Sequence, residues 1–156
     1  MPRKQANNKM KQQRSRKGAS AVEFAIVGPV MFLIIFACLE LVRLGMMQGI
    51  AEDASYEAAR FVMVPGATKA EGVTEANRLL SLLGTRNAVV TVEPYNSSGD
   101  IQSEIDDFTN RVTVRIDIPI RDNSLMASMY AGDRMVSSTA TLTFESYEGY
   151  YDGGGS

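Results

Sequence analysis

At 156 residues the chain has room for one ordinary globular domain and one segment of another kind. It contains no histidine, which excludes His-based acid–base chemistry, Ser–His and Cys–His nucleophile pairs and His-ligated metal sites; its single cysteine, Cys38, excludes an intrachain disulfide. A net charge of −2 conceals an asymmetry: residues 1–17 carry seven positive charges and no negative one, whereas residues 46–156 carry eight Lys/Arg against sixteen Asp/Glu.

The positive charges are Arg3, Lys4, Lys9, Lys11, Arg14, Arg16 and Lys17. No aromatic residue interleaves them, as base-stacking modules require, so the arm reads as a membrane flank and not as a nucleic-acid site. Behind it, residues 24–39 form sixteen positions without a charge. At 1.5 Å per residue they span about 24 Å, and extending the segment to residues 19–47 makes it long enough for a bilayer. Glu23 and Glu40 then fall near the two interfaces. The positive-inside rule puts the arm in the cytoplasm and sends the remainder outward. The expected location is a bacterial inner membrane, crossed once, with a periplasmic C-terminal domain.

Three kinds of N-terminus fit a basic arm before an apolar run. A secretory signal peptide has a shorter apolar core and an A-x-A site, where this chain has Leu39-Glu40-Leu41-Val42-Arg43. A lipoprotein signal at Ile35-Phe36-Ala37-Cys38 places a bulky phenylalanine where small residues are usual. Cleavage between Gly18 and Ala19 would remove the arm, keep the apolar segment and leave Glu23 as the fifth mature residue. A carboxylate at the start of a membrane helix is costly to bury alone. Its natural partner is the new α-amino group of Ala19 on a neighbouring subunit. This arrangement resembles type IV pilin precursors, which a membrane aspartic peptidase cuts after a glycine.

The stretch Arg16-Lys17-Gly18-Ala19-Ser20-Ala21-Val22-Glu23-Phe24-Ala25-Ile26-Val27-Gly28-Pro29 resembles the start of TadE-like proteins of tight-adherence (Flp) pilus systems. Leu39-Glu40-Leu41-Val42-Arg43 and Ala54-Ser55-Tyr56-Glu57-Ala58-Ala59-Arg60 resemble that family too. Flp-type junctions favour tyrosine after the glutamate, where this chain has Phe24. The resemblance implies a minor pilin-like (pseudopilin) component in assembly of the pilus or of a related secretion apparatus. It implies a prepilin peptidase acting at Gly18, Ala19, Glu23 and Phe24. Other pilin or pseudopilin subunits, the inner-membrane assembly platform and the lipid bilayer would be its partners. No catalytic residue, cofactor or metal is expected.

Within the apolar helix, Pro29 removes a hydrogen bond to the carbonyl of Ala25 and predicts a kink, loosened by Gly28. Gly45 and Gly49 make one small-x-x-x-small match. Glu40 and Arg43, three apart, share a helix face at the outer interface, as an ion pair within the helix or as a contact between subunits. From residue 49 to 62 the helix should continue out of the membrane, with Ile50, Ala54, Ala58, Phe61 and Val62 on its apolar side and a Glu57–Arg60 surface pair, until Pro65-Gly66 stops it.

Thr68-Lys69-Ala70-Glu71 reads as a capping box for a second helix, with Val73, Ala76, Leu79, Leu80 and Leu83 on one face and Gly84 as its stop. Three strands follow. Residues 88–92 form the first, ended by Pro94. Residues 111–120 form the second, with Pro119 marking an edge or a strand end. Residues 136–145 form the third. Each has one apolar face, as in an antiparallel sheet covered by helix on one side. Residues 126–135 read as a short helix or loop.

The predicted fold is therefore α+β: a long N-terminal transmembrane helix continuing into a small domain with a second helix on a three-stranded or larger antiparallel sheet. Its parts are a cleaved basic leader (1–18), a transmembrane helix (19–47), an extracytoplasmic pilin-like domain (48–146) and a disordered tail (147–156). The acidic loop holding Asp100, Glu104, Asp106 and Asp107 matches no calcium-loop spacing. Two other roles stay open: an uncleaved, membrane-anchored periplasmic binding or scaffold module, and an anchored enzyme, which without histidine would need carboxylates, a Ser–Lys pair or a metal. Lys69 is the only lysine beyond residue 17, and Ser81 is twelve residues away, so the sequence gives a Ser–Lys pair little support.

Overall fold

A computed structural model describes residues 3–106, 108–126, 128 and 130–144, with side chains in the first helix from Gly18 on, Ala19 excepted. The expected disordered tail, 147–156, lies outside the described residues. The chain divides into two compact units, Met1–Leu41 and Val42–Ser156.

Helix α1 spans Arg3–Phe61 and runs unbroken through Pro29. Its part in the first unit buries almost nothing. Every described side chain from residue 20 to 39 is exposed apart from Gly28, including Phe24, Phe32, Leu33 and Phe36. A helix that is apolar all round needs lipid or other helices around it. Ser20–Phe61 is long and apolar enough to cross a membrane, with a mean hydropathy of 2.5 in its most apolar window. This one N-terminal helix has the length and composition of a single-pass anchor.

In the second unit, residues 42–61 of α1 and helix α2 (Lys69–Leu82) cover one face of a sheet. The strands are β1 (Val89–Asn96), β2 (Thr109–Pro119) and β3 (Met135–Thr143), paired antiparallel in the order β1-β2-β3. This is the α+β arrangement that the alternating strands and the two helical periodicities predict. β2 is central, and its inward residues Val112, Val114, Ile116 and Ile118 are fully buried.

The seam of α1 against this core consists of Met47, Ala51, Ala54, Ser55, Ala58 and Ala59, continued by Val62 just past its last residue, all buried. Ile50 is only half-buried and Phe61 is exposed. The seam is thus turned from the line of larger side chains, because alanines let the helix backbone approach the sheet. Ser55 satisfies its hydroxyl there, donating to the Glu52 carbonyl oxygen at 3.0 Å and meeting the Ser138 hydroxyl of β3 at 3.1 Å.

α2 starts as its sequence predicts. The Thr68 hydroxyl accepts from the Glu71 N–H at 3.3 Å, and the Glu71 carboxylate accepts from the Thr68 N–H at 2.9 Å. Its tightest contact is at Gly72, where an added Cβ would stand 2.5 Å from Val62 Cγ1. Alanine in a helix is worth about 1 kcal/mol over glycine, whereas overpacking a core costs about 1–3 kcal/mol. Gly72→Ala is therefore expected to lower the unfolding free energy by about 1 kcal/mol, and to become neutral or stabilising in a Val62→Ala background. Urea titration of the four proteins in this cycle checks it.

Three expectations about the sheet are corrected, and one choice is decided. Pro94 does not end β1, which runs on to Asn96. The Pro94 carbonyl accepts from the Gln102 N–H at 2.8 Å, so its main chain faces the open side of β1 and its missing N–H takes nothing from the ladder. Of the two positions expected for Pro119, the strand end holds: it is the last residue of β2, the central strand, and lies at no edge. Ile120 belongs to a short helix, α3 (Ile120–Asn123), and not to β2. The third strand ends at Thr143.

Candidate functional site

The residues of the expected processing junction all lie within α1. Gly18 and Glu23 are exposed. Phe24 is 70 % exposed. Ala19 is helical, and its side chain lies outside the described residues. The Phe24 ring leans over the backbone one turn on: a Cβ at Gly28 would lie 3.8 Å from its Cε1 and Cζ. That contact accounts for the burial of Gly28, just before Pro29, where the carbonyl of Ala25 loses its helical donor.

At the other end of the apolar run Glu40 is buried. Arg43 sends its Nε–H to the carbonyl oxygen of Asn123 in α3. Sequence reasoning missed Asn123, a buried side chain with three hydrogen bonds to main-chain groups. It is 3 % exposed. Its Oδ1 accepts from the Arg86 N–H at 2.7 Å, and its Nδ2 donates to the carbonyl oxygens of Arg86 and Pro119 at 2.8 and 2.9 Å. One side chain thus ties the loop after α2 to the end of β2, while its main chain receives α1. Next to it Asn87, in the left-handed region at φ 54°, donates to the Asp122 carboxylate at 2.8 Å.

The outward face of the sheet is polar and internally paired. Arg115 donates twice to the Asp117 carboxylate, at 2.9 and 3.0 Å, and Ser137 donates a third bond. The Arg115 hydrogen bonds hold the Asp117 carboxyl below the ordinary carboxylate range, against the opposing push of burial. A depressed carboxyl contributes stability above its unfolded pKa and loses it as pH falls through the folded one. Wild type and Asp117→Asn should therefore converge in melting temperature on acidification below about pH 4. The effect should be small, since Arg115 is more than half exposed and screened by solvent. Arg111 lies over the Tyr95 ring at 4.6 Å. Tyr95 donates to Glu93 at 2.8 Å, a bond that pushes its phenol up.

The acidic loop uses its oxygens locally. Asp106 accepts from Gln102 Nε2 at 2.9 Å, from the Phe108 N–H at 3.0 Å and from the Thr109 hydroxyl at 3.2 Å. The Asp100 N–H donates to Asn96 Oδ1 at 2.8 Å. Among the described residues no three His, Cys, Asp or Glu are grouped to hold a metal ion. Lys69 Nζ donates to the Ser103 carbonyl oxygen, and the Ser81 hydroxyl donates to that of Arg78, so each has its own partner. A groove of about 510 Å³ runs between residues 64–67 on one side and Ile105, Asp106 and residues 108–110 on the other, with Phe144 on its wall.

No curated protein and no solved structure matches the chain. Residues 18–60, from the junction glycine to the last turn of α1, match the family model of TadE-like proteins, and over that stretch the chain is similar to a component of tight-adherence pilus systems.

Proposed function

We propose that this chain is a minor pilin-like component in the assembly of a tight-adherence pilus or related secretion apparatus, processed by a prepilin peptidase between Gly18 and Ala19. One observation carries the reading. An apolar helix exposed on every side begins directly behind a glycine junction, holds one carboxylate five residues into the mature chain, and extends into a helix-on-sheet domain.

Each part has a physical role. Gly18 offers no side chain to hinder a peptidase. Cleavage removes seven positive charges and creates an ammonium at Ala19. Glu23 then pairs with that ammonium on a neighbouring subunit, which offsets the penalty of a carboxylate in the bilayer. The apolar helix stores the subunit in lipid until it enters a helical bundle, and the sheet domain makes the contacts outside. The role asks for no catalytic residue, cofactor or nucleic acid.

The test is the intact mass and N-terminal sequence of the protein taken from its native membranes. A chain starting at Ala19 is the expected result. A chain keeping Arg3 to Lys17 overturns the processing step and leaves an uncleaved, anchored binding module as the reading.

A further inference from the structure

One end of the folded domain is assembled around Asn123. β1 begins, β2 ends and β3 begins there, with Val89 paired to Asp117 and Met135 to Pro119. The connections at that end are residues 83–88, α3 and residues 124–134. Asn123 bonds to the first of them at Arg86, and the Ile120 N–H donates to the Arg134 carbonyl oxygen at 3.1 Å. α1 arrives at the same end, where Arg43 donates to the Asn123 carbonyl oxygen. Arg43 is only about 6 Å of helix past Leu39, the last residue of the uncharged apolar run. A group held against Arg43 is therefore close to the lipid at whatever angle the anchor meets the domain.

The charge of this end is opposite to that of the rest. Arg43 and the three connections together hold Arg43, Arg86, Arg121 and Arg134 against Asp122 and Asp133, whereas the remainder of residues 42–144 carries five Lys/Arg and eleven Asp/Glu. Arg86, Arg121 and Arg134 are exposed. Of the two acids, Asp122 is engaged by the Asn87 side chain.

Large apolar side chains stand exposed at the same end. Leu125, Met126, Tyr130 and Met135 lie close together in the chain, with Tyr130 82 % and Leu125 60 % exposed. Single apolar residues are ordinary on a protein surface, whereas a group of large ones beside several arginines marks a contact. Tyrosine suits the boundary between lipid and water, with an apolar ring and a polar tip. Arginine lays its stem along apolar surface and keeps its guanidinium among the headgroups.

We propose that this end of the domain is a docking site for the surface of an anionic phospholipid bilayer. Leu125, Met126, Tyr130 and Met135 enter the boundary between headgroups and acyl chains, while Arg86, Arg121 and Arg134 meet the phosphates. The bilayer that holds α1 is the one on which the domain docks, so the short connection through Arg43 makes the second contact an intramolecular one. About 6 Å of α1 between Leu39 and Arg43 is less than the width of one helix, which leaves no layer for a second protein beside Arg43. The proposal rests on α1 as a membrane anchor and is independent of cleavage at Gly18.

The chain has no tryptophan, so single substitutions place one fluorescent reporter at a time in the full chain. The proteins are reconstituted into vesicles whose phospholipids carry bromine, a contact quencher, on their acyl chains. Tyr130→Trp reports the docking end, Phe32→Trp the anchor, and Phe108→Trp, at a position 78 % exposed, the opposite end of the sheet. In phosphatidylglycerol vesicles the Tyr130→Trp and Phe32→Trp proteins should be quenched and the Phe108→Trp protein should not. Each basic residue at an anionic surface favours contact about fivefold, so adding Arg121→Gln and Arg134→Gln should lower the docked-to-free ratio of the Tyr130→Trp protein about twentyfold. Phosphatidylcholine in place of phosphatidylglycerol should lower it in the same direction. An unquenched Tyr130→Trp protein beside a quenched Phe32→Trp protein would overturn the docking site and leave the anchor standing. An unquenched Phe32→Trp protein would overturn the anchor, and the proposal with it. Quenching that ignores both the arginines and the headgroup, or that reaches the Phe108→Trp protein as well, would also overturn the proposal.

Discussion

Asn123→Ala should lower the unfolding free energy of the folded domain by about 3 kcal/mol, at about 1 kcal/mol for each side-chain hydrogen bond lost. The substitution removes one bond to the Arg86 N–H and one each to the carbonyls of Arg86 and Pro119. Alanine also leaves these main-chain groups without their partner at a position only 3 % exposed. The Arg43 bond goes to the main-chain carbonyl of Asn123 and survives, so the loss belongs to the side chain alone. Urea unfolding of the full chain in micelles, with an unchanged slope on denaturant, measures it. A loss below about 1 kcal/mol would mean that water replaces all three bonds.

Glu23→Ala should leave insertion and cleavage intact and cut the yield of assembled fibres at least tenfold. Removing the carboxylate makes the segment more apolar, so partition into the bilayer is not weakened. The loss falls on the pairing with the Ala19 ammonium of a neighbour. Removing one partner of a buried ion pair costs about 3–5 kcal/mol, and a factor of ten in association corresponds to about 1.4 kcal/mol. Even a pair that keeps much of its hydration thus reaches the tenfold mark. Fibre counts on cells, beside a mass showing a start at Ala19, give the answer. Normal fibre numbers would remove Glu23 from the assembly mechanism.

What the sequence discloses depends on how far away the deciding contact lies. The capping box of α2 is complete within four residues, and the structure forms both of its bonds. The residues of the proposed processing junction are equally close in sequence, and Gly18 to Phe24 fall within the stretch that matches the family model. Strand alternation in β2 is legible because every second residue meets the same core. Pro94 is misread because its effect turns on which side of β1 its nitrogen faces, and the partner strand sets that. The seam of α1 is under-read because alanine carries little hydrophobic signal, although its small size decides how close the helix comes. Asn123 is invisible: apart from Pro119, its partners Arg86 and Arg43 lie 37 and 80 positions away, and nothing around Arg121-Asp122-Asn123 distinguishes it from an ordinary polar turn.

The alanine seam also sets how the domain bears load. A pull along the axis of α1 acts parallel to the contacts of Met47, Ala51, Ala54, Ala58 and Val62 with the sheet and α2, so they resist together in shear and are not peeled one at a time. Small side chains at close approach leave no soft intermediate position into which the helix can slip. Sliding by one turn would bring Ile50 toward the place of Ala54, a collision instead of a new fit. A subunit drawn by its helix would thus hold its shape until the whole seam yields at once, a brittle coupling and not a compliant one.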